Sequence, residues 1–122
     1  MKQRPLSIIK DGCIIGGSTY EGRVIAMQHL LHIRQKLPVP ISPHRQICAF
    51  PTESPRNFDC HWIFPSHIQE VKKEQEGVTL VFSHAHLHVN LSVHTVNRQL
   101  TITNRCQMLL SNNVNYFITQ RK

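Results

Sequence analysis

The chain of 122 residues carries 14 Lys and Arg against 7 Asp and Glu, a formal net charge of +7 at pH 7. That length suits one domain, which usually takes roughly 100–200 residues. The sequence has no apolar run near the roughly 18 residues of a membrane-spanning helix, and its first ten residues hold too short an apolar stretch for a signal peptide. We therefore expect a cytoplasmic protein with a polyanionic partner, not an integral membrane protein.

The positive charge is concentrated towards the N-terminus. Residues 1–45 carry seven basic and two acidic residues, whereas residues 46–122 carry seven basic and five acidic residues. This distribution predicts that the surface for an anionic partner lies mainly in the first part of the chain.

The first predicted elements are a strand and a turn. Residues 13–16 form a short apolar run, which is typical of a strand. The glycines and hydroxyl residues at 16–19 then predict a turn in which Ser18 or Thr19 caps the following helix.

Helical periodicity follows over residues 21–36, where apolar side chains share one broad arc. Glu21 lies in the first turn, and Arg34 and Lys36 lie in the last, as the helix dipole prefers. Pro38 is expected to end this helix, and two further prolines hold the segment to residue 43 extended.

Short apolar runs between turn residues predict antiparallel strands in the second half of the chain. A loop is predicted over residues 52–59. The expected strands cover residues 46–50, 60–63, 67–73, 78–82 and 84–91.

The last predicted element is a second helix over residues 93–110, although its three threonines and lack of alanine weaken this interpretation. Residues 111–122 are expected to form either a short strand or a loose tail. The predicted fold class is α+β, a single domain over residues 1–122 with an antiparallel sheet and about two helices.

Three alternating histidines, His84, His86 and His88, form the clearest metal-ligand pattern. On a strand their rings share one face within reach of a common zinc ion. The aspartate of the His-x-His-x-Asp-His pattern is absent, however, and no fourth ligand is evident. We favour the polar face of a half-buried strand, with residues 85, 87 and 89 inward, and predict neither a metal nor a cofactor.

A nucleophilic enzyme is a weaker alternative. The four cysteines and nine histidines allow chance pairings, but the sequence has no nucleophile elbow, Gly-rich phosphate loop or paired carboxylates. The cysteines are scattered without a CxxC pair, so we expect buried reduced thiols. We predict that the protein is not an enzyme.

Aromatic residues cluster around three prolines between residues 50 and 65. They could stack on nucleic acid or belong to the core. We favour the core for Phe50 and Trp62 and leave Phe58 and Phe64 open.

Five segments, in order, resemble the ComK family of competence transcription factors. They are residues 17–23 (GSTYEGR), 30–31 (LL), 36–41 (KLPVPI), 50–55 (FPTESP) and 60–63 (CHWI). The resemblance is best over residues 12–71 and weaker to residue 110, which leaves residues 111–122 as a divergent tail.

The resemblance implies a DNA-binding transcriptional activator. Members of the family bind paired A/T-rich boxes, largely through the minor groove, as dimers that assemble further on the promoter. Such grooves are narrow and electronegative and attract inserted Arg and Lys side chains. Phosphate contacts would supply most of the affinity and make it salt-dependent.

Arg23 and Lys36 match basic positions of the family motif, and the other candidates flank them. For Arg23 an equally weighted alternative is a structural ion pair, for example with Asp59. The hydroxyl residues at the helix start could hold a phosphate. The candidate DNA-binding residues are Arg23, Lys36, Arg34, Arg45, Ser18 and Thr19.

Family members are commonly longer and carry a C-terminal segment that links them to regulated proteolysis. This chain stops at Lys122, so we do not expect the protease-adaptor contact. A homo-oligomer on DNA is the expected assembly. The alternative function is a truncated paralogue that dimerises with or modulates a full-length activator without binding DNA alone.

Overall fold

Three α-helices and six strands form the part of the chain described by the computed structural model, which covers the backbone of residues 4–120 and the side chains of residues 4–110. The α+β class is confirmed, with three helices rather than two and two small sheets rather than one. Within this range, no helix is both long and apolar enough to cross a membrane. The helices are α1 (Pro5–Ile15), α2 (Tyr20–Leu31) and α3 (Val93–Gln120); the strands are β1 (Val39–Ser42), β2 (Ile47–Pro51), β3 (Trp62–Ile63), β4 (Glu70–Lys73), β5 (Val78–Val81) and β6 (His86–Val89).

The strand predicted at residues 13–16 is wrong, because residues 13–15 form the last turn of α1. Pro5 occupies the first helical turn, where its fixed φ favours a helix and its missing N–H costs nothing. Ile9 and Cys13, four residues apart, are buried on one face, whereas Ile14 and Ile15 are exposed. The apolar run therefore does not mark a buried strand.

The predicted cap of the next helix is confirmed at Thr19, whose Oγ1 accepts a hydrogen bond from the Gly22 N–H at 3.0 Å. The helix ends earlier than predicted, however, at Leu31. His32 follows with a φ of 58°, in the left-handed region. Arg34 and Lys36 consequently lie in a loop and not in the last helical turn.

Burial explains this early end. Leu37 packs in the same cluster as Met27 and Leu31 of α2, so the chain turns back after the helix to bring it there. Pro38 also disfavours helical geometry for Leu37, the residue that precedes it.

Both sheets are antiparallel and contain three strands each, in the orders β1-β2-β3 and β4-β5-β6. The extended Pro-rich segment, the strand before Pro51 and the later meander are confirmed as β1, β2 and β4–β6. Pro40 lies in β1 at a sheet edge, where a residue without an N–H is tolerated.

The second predicted helix is confirmed as α3 and continues to Gln120. The strand or loose tail expected at the end is therefore wrong for residues 111–120, while residues 121–122 lie outside the described range. Two threonines are accommodated because their hydroxyls donate to carbonyls four residues earlier: Thr101 to Asn97 at 2.9 Å and Thr103 to Gln99 at 2.8 Å.

The core consists of three apolar clusters, and α3 contributes to two of them. Val96 packs with Phe50 and the second sheet, whereas Cys106 packs with α2 and Cys48 of β2. The remaining cluster lies between α1 and the first sheet. Because α3 reaches two of the three clusters, one helix holds both sheets together.

The corner between α1 and α2 should be sensitive to added volume. A Cβ at Gly16 would collide with the carbonyl oxygen of Ile41 in β1, whereas a Cβ at Gly17 would meet nothing within 4 Å. We expect Gly16→Ala to lower the free energy of unfolding by about 2–3 kcal/mol, since backbone atoms cannot move aside as a side chain could.

Urea denaturation measures this difference. Gly17 has a φ of 99°, so the matched control Gly17→Asn, which tolerates that conformation, should lose less than about 1 kcal/mol. Equal losses at the two glycines would contradict the close backbone contact.

Candidate nucleic-acid interface

The six predicted DNA-binding residues fall into three places in the structure. Ser18, Thr19 and Arg23 lie together at the α1–α2 corner, and Arg34 and Lys36 lie together in the loop before β1. Arg45 is separated from that loop by the full length of β1, in a short 3-10 turn covering Pro43–Arg45.

The hydroxyl groups at the start of α2 are engaged in the fold. Thr19 Oγ1 accepts from the Gly22 N–H, and Ser18 Oγ lies 3.5 Å from the Thr19 carbonyl oxygen. The Arg23 N–H also bonds to the Thr19 carbonyl. Glu21 adds a carboxylate in this first turn, which disfavours a phosphate at the same end.

Arg23 is half-buried and closes the end of α1. Its Nη2 donates a hydrogen bond to the Gly16 carbonyl oxygen at 3.0 Å, a favourable position for a cation near a helix C-terminus. The alternative predicted for it, an ion pair with Asp59, is not formed; within the described residues the ion pair found joins Lys10 to Glu21 at 3.6 Å. Arg23 thus has a structural contact with the main chain.

Arg34 and Lys36 border an open groove of about 390 Å³ between α2 and the loop after β2. Both side chains are exposed. Burial raises the pKa of the Tyr20 hydroxyl, which therefore stays neutral and does not repel an anion. We call this the cationic groove; it is lined by Tyr20, Val24, Arg34, Gln35, Lys36, Leu37, Val39, Ser54 and Pro55.

A second depression, of about 550 Å³, begins on the other side of Lys36 and has the opposite character. Two exposed carboxylates, Glu53 and Asp59, line it together with His61 and His88. Since these carboxylates repel phosphate, an anionic ligand near Lys36 is directed towards the cationic groove.

The aromatic cluster divides between core and surface. Phe50 is fully buried, as predicted. Trp62 is half-buried and packs edge-on against Tyr20, with the ring centroids 6.4 Å apart. Phe58 is 72% exposed, and the Arg4 guanidinium carbon lies 4.2 Å from the centre of its ring. Of these three rings only that of Phe58 is largely exposed, a difference that their proximity in sequence does not indicate.

The histidine run lies on and beside β6. His86 and His88 are exposed, and His88 Nε2 lies 2.6 Å from the Glu76 carbonyl oxygen. The predicted inward face holds for Leu87 and Val89, but Ala85 is exposed and precedes the strand. Across the residues that the structure describes, no group of three His, Cys, Asp or Glu side chains could hold a metal ion.

All four cysteines are buried and reduced, as the sequence predicts. Burial raises the pKa of the Cys13 thiol. A hydrogen bond with Cys106, whose Sγ lies 3.6 Å away, together with burial raises the pKa of Cys48. The buried thiols of Cys13 and Cys48, whose pKa values are raised, are therefore poor nucleophiles.

The fold and surface define a small, basic α+β protein with exposed cations beside an open groove. The chain belongs to the ComK family, because the family model described as ComK protein matches residues 1–115. The resemblance read from the five segments is confirmed, over a longer stretch than residues 12–110.

A curated relative is the competence transcription factor of Bacillus subtilis (strain 168). It is 33% identical over 84 residues, which cover 68% of this chain and 44% of the relative. The match therefore spans less than half of that relative's length. No solved structure matches the chain.

Arg23 and Lys36 should differ in their effect on stability. We expect Arg23→Ala to lower the free energy of unfolding by about 1–3 kcal/mol, since the Gly16 carbonyl loses its charged donor. Lys36→Ala should change it by less than about 0.5 kcal/mol, because Lys36 is exposed. Chemical denaturation of both variants beside the wild type measures the contrast, and a stable Arg23 variant would refute the structural role.

Proposed function

We propose that this protein is a DNA-binding transcription regulator of the competence-activator type, acting in the cytoplasm and without enzymatic activity. The observation that carries the proposal is the family match over residues 1–115, together with a relative that is itself a competence transcription factor. The net charge of +7 and the exposed cations of the groove support the same partner.

Within this proposal the ligand is A/T-rich duplex DNA, bound largely through its minor groove and its phosphates. An A/T-rich minor groove is narrow and electronegative, so exposed Arg and Lys side chains are attracted without reading unique base edges. Arg34 and Lys36 are the residues best placed for this role, since neither is held in an ion pair within the described residues and both border the cationic groove.

The residues of the α1–α2 corner act indirectly in this proposal. Arg23 and Thr19 hold the corner through the hydrogen bonds described above. Tyr20 and Val24 lie in the first two turns of α2, directly after this corner. Both line one wall of the cationic groove. We therefore regard Ser18, Thr19 and Arg23 as positioning residues for that wall.

Phe58 supplies a candidate wedge. Proteins that bind the minor groove often insert an apolar side chain between base steps beside basic residues. Phe58 combines high exposure with the neighbouring guanidinium of Arg4, and Arg56 is exposed on the same loop.

The proposed assembly on DNA is a homodimer or a higher oligomer. Large apolar side chains exposed on α1 and α2 support a protein partner for this side of the molecule; they are Ile8, Ile14, Ile15 and Ile25. The same surface favours the second candidate function, a modulator that pairs with a longer activator and does not bind DNA alone.

Binding of the purified chain to DNA tests the proposal. We expect tighter binding to a duplex with A/T-rich boxes than to a G/C-rich duplex of equal length, measured by fluorescence anisotropy at several KCl concentrations. Arg34→Ala and Lys36→Ala should each reduce the slope of log K against log[salt] by about 1, the effect of one lost phosphate contact.

Lys72→Ala is the matched control, because Lys72 is an exposed cation of the second sheet beside Glu70. It should leave the slope unchanged. Absence of DNA binding by the chain alone, with binding restored by a longer family member, would favour the modulator. Absence of binding in both cases would refute the proposed function.

A further inference from the structure

The outer face of α3 is polar except for Met108, and all its charge is positive. One side of the helix is buried, with Val96, Thr103 and Cys106 each at most 1% exposed. At 100° per residue the exposed side chains fall within an arc of about 120° on the opposite side. This α3 outer face comprises His94, Asn97, Arg98, Thr101, Asn104, Arg105 and Met108.

The face has no carboxylate of its own. All five acidic residues of the second part of the chain lie between Glu53 and Glu76, so residues 77–122 contain neither Asp nor Glu. Within residues 4–110, the ion pair that the structure contains joins Lys10 to Glu21. Arg98 and Arg105 are therefore exposed cations with no carboxylate bound to them.

A solvated helix surface usually intersperses both signs of charge, because Glu and Lys pairs four residues apart stabilise it. The described part of the α3 outer face has no such pair of opposite charges, because it contains no Asp or Glu. Arg98 and Arg105 instead stand seven residues apart, two turns or about 10 Å along the axis, on nearly the same side. Such an arrangement is complementary to a regularly charged polyanion.

The side chains between these arginines favour nucleic acid over a lipid surface. Asn and Arg are the residue types that form paired hydrogen bonds with base edges in the major groove. Among the described residues the face carries a single large apolar side chain, Met108, which is 57% exposed, whereas a membrane-surface helix buries a broad apolar face. An α-helix, about 10–12 Å across, also fits a major groove about 12 Å wide.

The turn that carries Arg45 packs against the flank of α3. Gln107 Nε2 donates to the Gln46 carbonyl oxygen, directly after this turn, at 3.0 Å. The predicted site residue that stands apart from the cationic groove thus lies beside α3.

We propose that the α3 outer face is a second contact surface for duplex DNA. In this arrangement Arg98 and Arg105 contact phosphates, and Asn97 and Asn104 face the major groove of the DNA. This inference rests on the proposed function and adds a second surface to it. Duplex DNA is then held both at the cationic groove and along α3.

The test compares two double variants with equal loss of charge in the full chain. We expect Arg98→Gln/Arg105→Gln to reduce the slope of log K against log[salt] by about 2 for an A/T-rich duplex, with an unchanged thermal midpoint because both residues are exposed. Lys72→Gln/Lys73→Gln, on β4 between Glu70 and Glu74, is the control and should leave the slope unchanged.

The outcomes separate this inference from the proposed function. If the wild type binds DNA and Arg98→Gln/Arg105→Gln shows the same slope of log K against log[salt], the second surface is refuted and the proposed function stands. Equal loss of slope in both double variants would also overturn it, since net charge alone would then explain binding. No DNA binding by the wild type, alone or with a longer relative, would overturn both.

Anionic vesicles of phosphatidylserine and phosphatidylcholine provide a further control. The second surface predicts that wild type and Arg98→Gln/Arg105→Gln sediment equally with such vesicles. A loss of vesicle binding in the variant, together with unchanged DNA binding, would assign the face to a lipid surface and overturn the proposal.

Discussion

The burial of one side of α3 is the constraint on which the rest of the structure depends. Val96 is held in the cluster with the second sheet and Cys106 in the cluster with α2 and β2. A straight helix fixed at two points ten residues apart cannot rotate about its axis without exposing one of them. The same packing that unites the two sheets therefore determines which side of α3 faces solvent.

Some basic side chains are bonded within the fold and others are exposed to solvent, and position in the sequence does not distinguish the two groups. Arg23 directs its guanidinium at the Gly16 carbonyl, so this cation is tied to the main chain inside the fold. Lys36 lies only 13 residues later and is exposed beside the groove. A residue that matches a family motif can thus contribute to binding by shaping a wall instead of touching the ligand.

The sequence predicts those elements whose signals are local. Thr19 caps α2 because its hydroxyl reaches an N–H three residues away, and β4–β6 follow from alternation and turn residues. The end of α2 depends on the distant burial of Leu37, which no local signal contains. The α3 outer face was missed for a different reason: summing charge over residues 46–122 combined the acidic stretch 53–76 with a segment free of carboxylates.

The placement of β1 unites these observations. It is an edge strand, with Arg34 and Lys36 in the loop before it and Arg45 in the turn after it. On the other side of Lys36, Glu53 and Asp59 oppose a polyanion. Because β1 itself is buried against α1 and α2, a duplex in the proposed binding mode meets the exposed cations at the two ends of the strand and is repelled on the side of Glu53 and Asp59.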